Sequence, residues 1–172
     1  ESPTIKTVVL KPEEEFEFLA GQFASLTVPG VGEAPFTPSS SPFDKEKLEF
    51  TVMKVGRVTE KIHQLKKGDI VGVRGPYGKP YPLEKFKDKE ILLVGGGVGL
   101  APIRALFLAL VETYQNYKKI VFCCGAKTPS DYIYKDQLFG KWQKLCEKIP
   151  LSFRITVDKK DENWKYREGV VT

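Results

Sequence analysis

ILLVGGGVGLAPI, residues 91–103, decides how the rest of the chain is read. The apolar run Ile91–Val94 ends in Gly95, Gly96 and Gly97; Val98 and Gly99 follow, and from Ala101 and Pro102 an amphipathic run reaches Tyr114. Strand, glycine turn and helix in that order place backbone N–H groups and a helix N-terminus against a pyrophosphate. Glycine permits positive φ and lets phosphate oxygens approach the backbone closely. Proline at the first helical position gives up an N–H that has no partner there. The spacing is Gly97-x-Gly99-x-x-Pro102, without the third glycine of the dinucleotide fingerprint. On these residues alone two readings stand: a nucleotide cradle, or a structural strand–turn–helix, since glycine turns at strand ends are common.

Outward from this loop the chain divides in two. On the C-terminal side Glu90–Val94, Lys119–Cys124 and Leu151–Val157 read as strands, with helices expected over Pro102–Tyr114 and Tyr134–Lys148. That alternation predicts a parallel sheet with right-handed crossovers. On the N-terminal side Thr4–Leu10, Glu15–Phe18, Phe23–Val28, Leu48–Val55 and Ile70–Arg74 are short β-branched or aromatic runs punctuated by Gly, Pro and Ser. They predict a small antiparallel barrel, interrupted by one helix over Glu60–Leu65 with Thr59 as its N-cap and Gly68 as its stop. The fold class is therefore an antiparallel β-barrel followed by an α/β parallel-sheet nucleotide-binding domain. The expected domains are residues 1–86 and 87–172, with the lysine-rich segment Tyr81–Lys89 between them. Only three parallel strands precede the terminus Gly169-Val170-Val171-Thr172, so one flank of Glu90–Val94 is expected to lack a partner, as in a truncated sheet.

With 172 residues, 41% hydrophobic and 28% charged, the chain has the composition of an ordinary globular protein. Its net charge of +5 comes from dispersed lysines, which reads as solvated surface with mild help for an anionic ligand or an acidic redox partner. It does not point to nucleic acid. No apolar run approaches the ~20 residues that span a bilayer. The first residue is Glu1, not Met, so residues are expected to precede it. Cys123 and Cys124 are adjacent on one strand and Cys146 stands alone; this odd count argues for buried, inert thiols and a reducing cytoplasm. Three such thiols do not make the roughly four-ligand set of an iron–sulfur cluster. His63, the one histidine, is expected on the helix surface. A single histidine excludes multi-histidine metal sites and argues against Ser-His-Asp hydrolysis.

GEAPFTPSSSP at 32–42, VMKVGRVTEKI at 52–62, GDIVGVRGPYGKPYP at 68–82, the glycine loop and CGAKTPSDYIYKDQL at 124–138 resemble, in order and spacing, the ferredoxin–NADP reductase superfamily. The likeness covers essentially the whole chain. Within the superfamily it is most similar to the gamma subunits of cytoplasmic NiFe hydrogenases (sulfhydrogenases) and the beta subunit of anaerobic sulfite reductase. The electron-transfer subunit of dihydroorotate dehydrogenase is a close relative. The resemblance implies FAD and NAD(P) as cofactors, other subunits of a redox complex as partners, and hydride passing between nicotinamide and flavin. In those relatives a [2Fe–2S] centre is held by a C-terminal cysteine cluster, for which this chain has no ligands.

Carried over residue by residue, Ala34-Pro35-Phe36-Thr37 takes the place of the superfamily's Arg-x-Tyr-Ser/Thr motif. A flat isoalloxazine needs an aromatic wall, which Phe36 supplies. The flavin nitrogen that exchanges hydride benefits from a hydroxyl, and Thr37 is the expected catalytic residue. Pro35, Pro38 and Ser39 complete the run expected at the flavin. The motif's arginine is Ala34 here, so phosphate binding falls to another element or is weaker. Gly56-Arg57-Val58-Thr59 is that element: a helix start with free N–H groups, or else a plain N-cap with a surface arginine. Val52 and Met53 are expected to border the flavin edge. Gly75-Pro76-Tyr77-Gly78 reads as a tight structural bend. Gly96, Gly97, Val98, Gly99, Ala101 and Pro102 are the expected nucleotide cradle. Lys127 suits a 2′-phosphate, tilting slightly toward NADP over NAD, or faces solvent. Asp158 either approaches the nicotinamide end or closes a turn. The rivals are a dihydroorotate dehydrogenase partner subunit, a non-catalytic nucleotide-binding module, and a barrel that binds nucleic acid.

Overall fold

The computed structural model describes residues 1–171; Thr172, the last residue of the expected terminus, lies outside the described residues. Five strands build the first half: β1 (Ile5–Leu10), β2 (Phe23–Val28), β3 (Gly32–Phe36), β4 (Leu48–Met53) and β5 (Gly72–Tyr77), with helix α1 (Arg57–Gln64) after β4. β1 pairs antiparallel with β4, and β2 lies between β3 and β5. Both sheets feed one core of Val8, Ala24, Leu26, Val28, Leu48, Phe50, Val52 and Ile62. The chain passes from one sheet to the other just after β3, where Pro38 bridges to Phe50.

Three details differ from the sequence expectation. β3 is a strand although Gly32, Glu33 and Pro35 form strands poorly; it is an edge strand, where the missing proline N–H costs no ladder bond. Glu15–Phe18 is irregular, yet Phe18 is buried and Phe16 packs on the same core. The last strand starts at Gly72 rather than Ile70 and runs through Gly75 and Pro76, opposite an irregularity in β2.

The second half is a parallel sheet in the order β6 (Glu90–Gly96), β7 (Lys119–Ala126), β8 (Leu151–Val157), β9 (Arg167–Glu168). β9 is a two-residue strand that the sequence reading did not place. β6 is the sheet's edge, as expected, and its Leu92 and Val94 are 64% and 40% exposed. Helix α2 (Leu100–Glu112) follows the glycine turn. Its predicted amphipathicity is not observed: Leu100, Ala101, Arg104, Ala105, Leu106, Phe107, Ala109 and Leu110 are all buried. The reason is that α2 has two partners. Leu106, Phe107 and Leu110 join the core of the parallel sheet, while Ala105 enters the core of the antiparallel half. Ile5 and Ala20 cross in the other direction. A helix covered on two sides needs apolar residues nearly all round.

The predicted Tyr134–Lys148 helix is broken into a π-helical turn (Gln137–Lys141) and a 3-10 turn (Gln143–Glu147). Gly140 lies inside the first, where glycine weakens an ordinary helix. The break lets Leu138 and Trp142 stay buried while Gln137 turns toward α2. Phe107, Phe122, Trp142 and Phe153 pack ring against ring beneath this segment.

Candidate functional site

The residues expected at the flavin come from three neighbouring elements. β3 delivers Phe36 and Thr37, both partly buried, at the point where the chain leaves one sheet for the other. α1 packs on β3 and β4. Its Arg57 donates from Nη2 to the Val31 carbonyl at 2.6 Å, so the guanidinium lies beside the turn that starts β3. This puts a cation next to the strand where Ala34 stands. Val58 packs toward Gly32.

The helix start differs from expectation in one respect. Gly56, not Thr59, is the N-cap. Thr59 is buried at the third helical position, and its hydroxyl accepts the N–H groups of Val55 and Gly56, both at 2.9 Å. The same hydroxyl donates its proton to the Gly56 carbonyl at 2.8 Å, so it fixes the turn and is not available to a phosphate; the N–H groups of the first helical turn remain the anion-facing donors.

β4 is the wall common to both expected sockets. Its Leu48, Phe50 and Val52 point into the antiparallel core, so Glu49, Thr51 and Met53 share the opposite face. Met53 is exposed at the end of that face. The Gly97–Gly99 turn packs against β4. The flavin-side strands and the glycine turn thus meet and do not lie on opposite sides of the molecule. The Val52 carbonyl is held by His63 Nε2 at 2.8 Å. His63 is therefore half-buried and ties α1 to β4, where the sequence suggested a surface residue.

The glycines of the turn differ in what they do. A Cβ on Gly95 would lie 2.6 Å from Ile103, and one on Gly96 3.1 Å from the Gly125 carbonyl, so these two serve close packing. Gly97 has φ +55°, and both Gly97 and Gly99 face open space. That open glycine surface at the start of a thirteen-residue helix is a shape a pyrophosphate fits. Gly97–Gly99 form a 3-10 turn before α2, so Pro102 is the third helical residue, not the first, still within the turn that lacks N–H partners. Ala101 is 2% exposed and Val98 packs on the core, so only their backbone is at the turn. Lys127 and Asp158 stand exposed just beyond β7 and β8, at the same sheet edge as the glycine turn. There the Asp158 N–H donates to the Ala126 carbonyl at 3.0 Å.

Ser39 is placed otherwise than expected. It is fully buried, and its hydroxyl bonds the Glu49 carbonyl (3.3 Å) and Thr51 Oγ1 (3.1 Å). Pro38 is buried as well, so the surface-facing part of the run is Pro35–Thr37. What the sequence reading missed lies just behind. Arg104 of α2 is buried against Glu49 Oε2 at 2.6 Å and bonds the Ser39 carbonyl. Tyr134, whose phenol burial holds above its ordinary range, shares a 2.5 Å hydrogen bond with Thr51. One signal was available: Arg104 is the only charge between Leu100 and Val111, in an otherwise apolar run. Burial also pushes up the Cys124 and Cys146 thiols, which suits inert side chains.

The family described as Oxidoreductase FAD-binding domain matches residues 3–81, and that described as Oxidoreductase NAD-binding domain matches residues 93–172. The chain belongs to the oxidoreductases that join these two domains, FAD-binding first. It is similar to the sulfhydrogenase 1 gamma subunit of Pyrococcus furiosus, 38% identical over 157 residues, which is 91% of this chain and 53% of that protein. It is also similar to a probable dihydroorotate dehydrogenase B (NAD(+)) electron transfer subunit of Methanocaldococcus jannaschii, 44% identical over 145 residues, 84% of this chain and 51% of that one. The fold matches a ferredoxin NADP+ reductase from Neisseria gonorrhoeae, solved with FAD and NADP, at a TM-score of 0.76 and 20% identity, over 99% of this chain and 69% of that one. At that identity the match carries the fold alone. The chain spans about half the length of the curated relatives it matches. It thus has FAD- and NAD-binding domains, and its aromatic strand end and open glycine turn fit those two groups. Among the described residues no cluster of three or more His, Cys, Asp or Glu side chains is placed to hold a metal. No helix among them is long and apolar enough to cross a membrane.

Proposed function

We propose that this chain is the flavin- and nicotinamide-binding part of an electron-transfer subunit, passing hydride between NAD(P)H and FAD within a multi-subunit redox complex of the hydrogenase type. The observation that carries the reading is the shared wall: β4 borders the flavin-side elements and also receives the Gly97–Gly99 turn. Bound FAD supplies the chemistry of taking up two electrons as hydride and handing them on singly. The chain's own residues do the positioning. Phe36 walls one side of the ring, and the Thr37 hydroxyl is the group offered to the nitrogen that exchanges hydride. Met53 and the Val52 backbone, steadied by His63, line the ring edge. Arg57 and the N–H groups from Arg57 to Thr59 face the flavin phosphates, in place of the arginine absent at position 34. Gly96, Gly97, Val98 and Gly99 receive the nicotinamide dinucleotide's pyrophosphate through their backbone, with Ala101 and Pro102 shaping the turn. Lys127 attracts a 2′-phosphate, and Asp158 borders the same edge. Hydride transfer needs two rings held face to face and no proton donor, which agrees with a site poor in acids and bases.

The test is direct: add FAD to the purified protein, record the flavin absorbance, then add NADH or NADPH anaerobically. Bleaching of bound flavin is the expected result, with retention of flavin more robust than turnover. A colourless protein that takes up no FAD returns the reading to a non-catalytic nucleotide-binding module. A second reading, the electron-transfer partner of a dihydroorotate dehydrogenase, is favoured by the 44% identity to such a subunit. Co-purification with a second flavoprotein, as against a hydrogenase or sulfite reductase, separates the two.

A further inference from the structure

We propose that the buried Arg104–Glu49 pair, with Ser39, Thr51, Tyr134 and Gln137, is a positioning clamp that sets the glycine turn at the right distance from the flavin strand. The inference rests on the flavin–nicotinamide reading above. Arg104 is 7% exposed. Its guanidinium reaches three elements at once: Nη1 donates to the Ser39 carbonyl and to Glu49 Oε2, and Nε donates to Gln137 Oε1 at 3.1 Å. The Tyr134 ring lies 4.8 Å from its carbon centre. Tyr134 in turn bonds Thr51, which also bonds Thr7 and Ser39. Every link joins the antiparallel half to the parallel half or braces one that does.

Cohesion alone does not call for such a network. The apolar crossings of Ala105, Ile5 and Ala20 already hold the halves together, and an apolar pair in place of a buried ion pair serves stability as well or better. Those apolar contacts have no direction and tolerate sliding. A guanidinium fork does have direction, because each donor must meet its acceptor in plane. The fork's ends are also well placed. Ser39 lies two residues beyond Thr37, and Arg104 lies five beyond Gly99. Glu49 and Thr51 share the β4 face that ends at Met53. A bond from Arg104 to Ser39 is thus the short path between the strand that presents the flavin hydroxyl and the turn that receives the dinucleotide. Hydride transfer is sensitive to such placement, and an error of about 1 Å costs up to ~100-fold in rate.

The decisive variant is Arg104→Met with Glu49→Met, which removes both charges and leaves neither one buried alone. Two measurements are made. In the FAD-free protein, small-angle X-ray scattering reports how the halves sit; a larger or broader particle than wild type is expected. In the FAD-loaded protein, stopped-flow reduction by NADPH or NADH is expected to slow by about tenfold or more, with loss of the long-wavelength flavin–nicotinamide charge-transfer absorbance, while FAD and nucleotide affinities stay within about twofold. Arg104→Lys, which keeps the charge and loses the fork, should fall between the two. Wild-type scattering with a wild-type rate overturns the clamp, and so does a rate loss fully matched by weaker FAD binding. If the wild-type protein takes up no FAD, the functional reading fails, but the scattering comparison still decides the clamp. Should the double variant not fold, Tyr134→Phe gives the same two readouts with a smaller expected slowing, and no slowing with unchanged scattering is the overturning result.

Discussion

The two halves of this chain cover their apolar surface in different ways. In the antiparallel half both sheets turn an apolar face to one core, and Leu26, Phe50 and Val52 are almost entirely removed from water. In the parallel half the described residues cover one face of the sheet fully and the other only at the end of β7, where Val171 packs on Gly125. Ile120, Phe122 and Cys124 lie under α2 and the aromatic segment, while Leu92 and Val94 on the opposite face stay exposed. Parallel sheets are normally buried on both faces. The comparison teaches where the second half gets its order: from α2, a helix shared with its neighbour, and from the rings packed beneath it. The functional geometry is built on the same helix, because the glycine turn leads directly into it and Arg104 lies on its second turn.

If α2 carries this load, the largest effect comes from removing the buried cation it carries. Arg104→Met alone leaves the nearly buried Glu49 carboxylate with only the half-exposed Lys47 ammonium, 3.4 Å from Oε1, as an ionic partner; breaking a buried pair costs up to about 3–5 kcal/mol. Urea unfolding of the FAD-free protein measures it, and a loss below ~1 kcal/mol would mean that water reaches the pair. Phe107→Ala, which empties the middle of the ring cluster, is expected to cost a similar ~3–5 kcal/mol and to loosen the parallel half first. Hydrogen exchange resolved by strand tests that order: β7 amides should lose protection before β2 amides.

Smaller effects sharpen the contrast between the two sockets. Gly97→Val forces a β-branched residue into positive φ, a strain of roughly 1–3 kcal/mol, and fills the open turn. NAD(P)H affinity is expected to fall at least about tenfold (~1.4 kcal/mol) with FAD binding unchanged, as titration of the FAD-loaded protein would report. Thr59→Ala removes the hydroxyl that receives two N–H groups at the start of α1. It should cost ~1 kcal/mol of stability and weaken FAD rather than nucleotide. The smallest effect belongs to the bare face: Leu92→Gln is expected to change the stability of this chain by less than about 0.5 kcal/mol. A larger loss would show that this face is not idle.

Much of the architecture was legible because it rests on local pattern. The run from Ile91 to Pro102 announces a strand, a turn and a helix through composition alone, and the β-branched and aromatic run Leu48–Val55 announces a strand. The edge position of β6 followed from counting strands. Legibility failed where a distant partner overrides the local preference. Pro35 sits in a strand because that strand is an edge. The helix expected over Tyr134–Lys148 breaks around Gly140 as Gln137 turns to Arg104. Ser39, drawn as a flavin contact by its place after Thr37, turns inward to Glu49 and Thr51. His63, placed on the surface as a lone histidine, holds the Val52 carbonyl.

Taken by itself, the sequence determined the glycine turn, the helix that follows it and most of the strands. Those depend on backbone freedom and on periodicity within a few residues of one another. Only the tertiary structure decided that β4 borders both the flavin-side elements and the glycine turn, and that a buried arginine spans them. A charge in an apolar helix declares that it needs a partner, and where that partner lies, fifty-five residues away at Glu49, is settled by how two separately patterned halves dock.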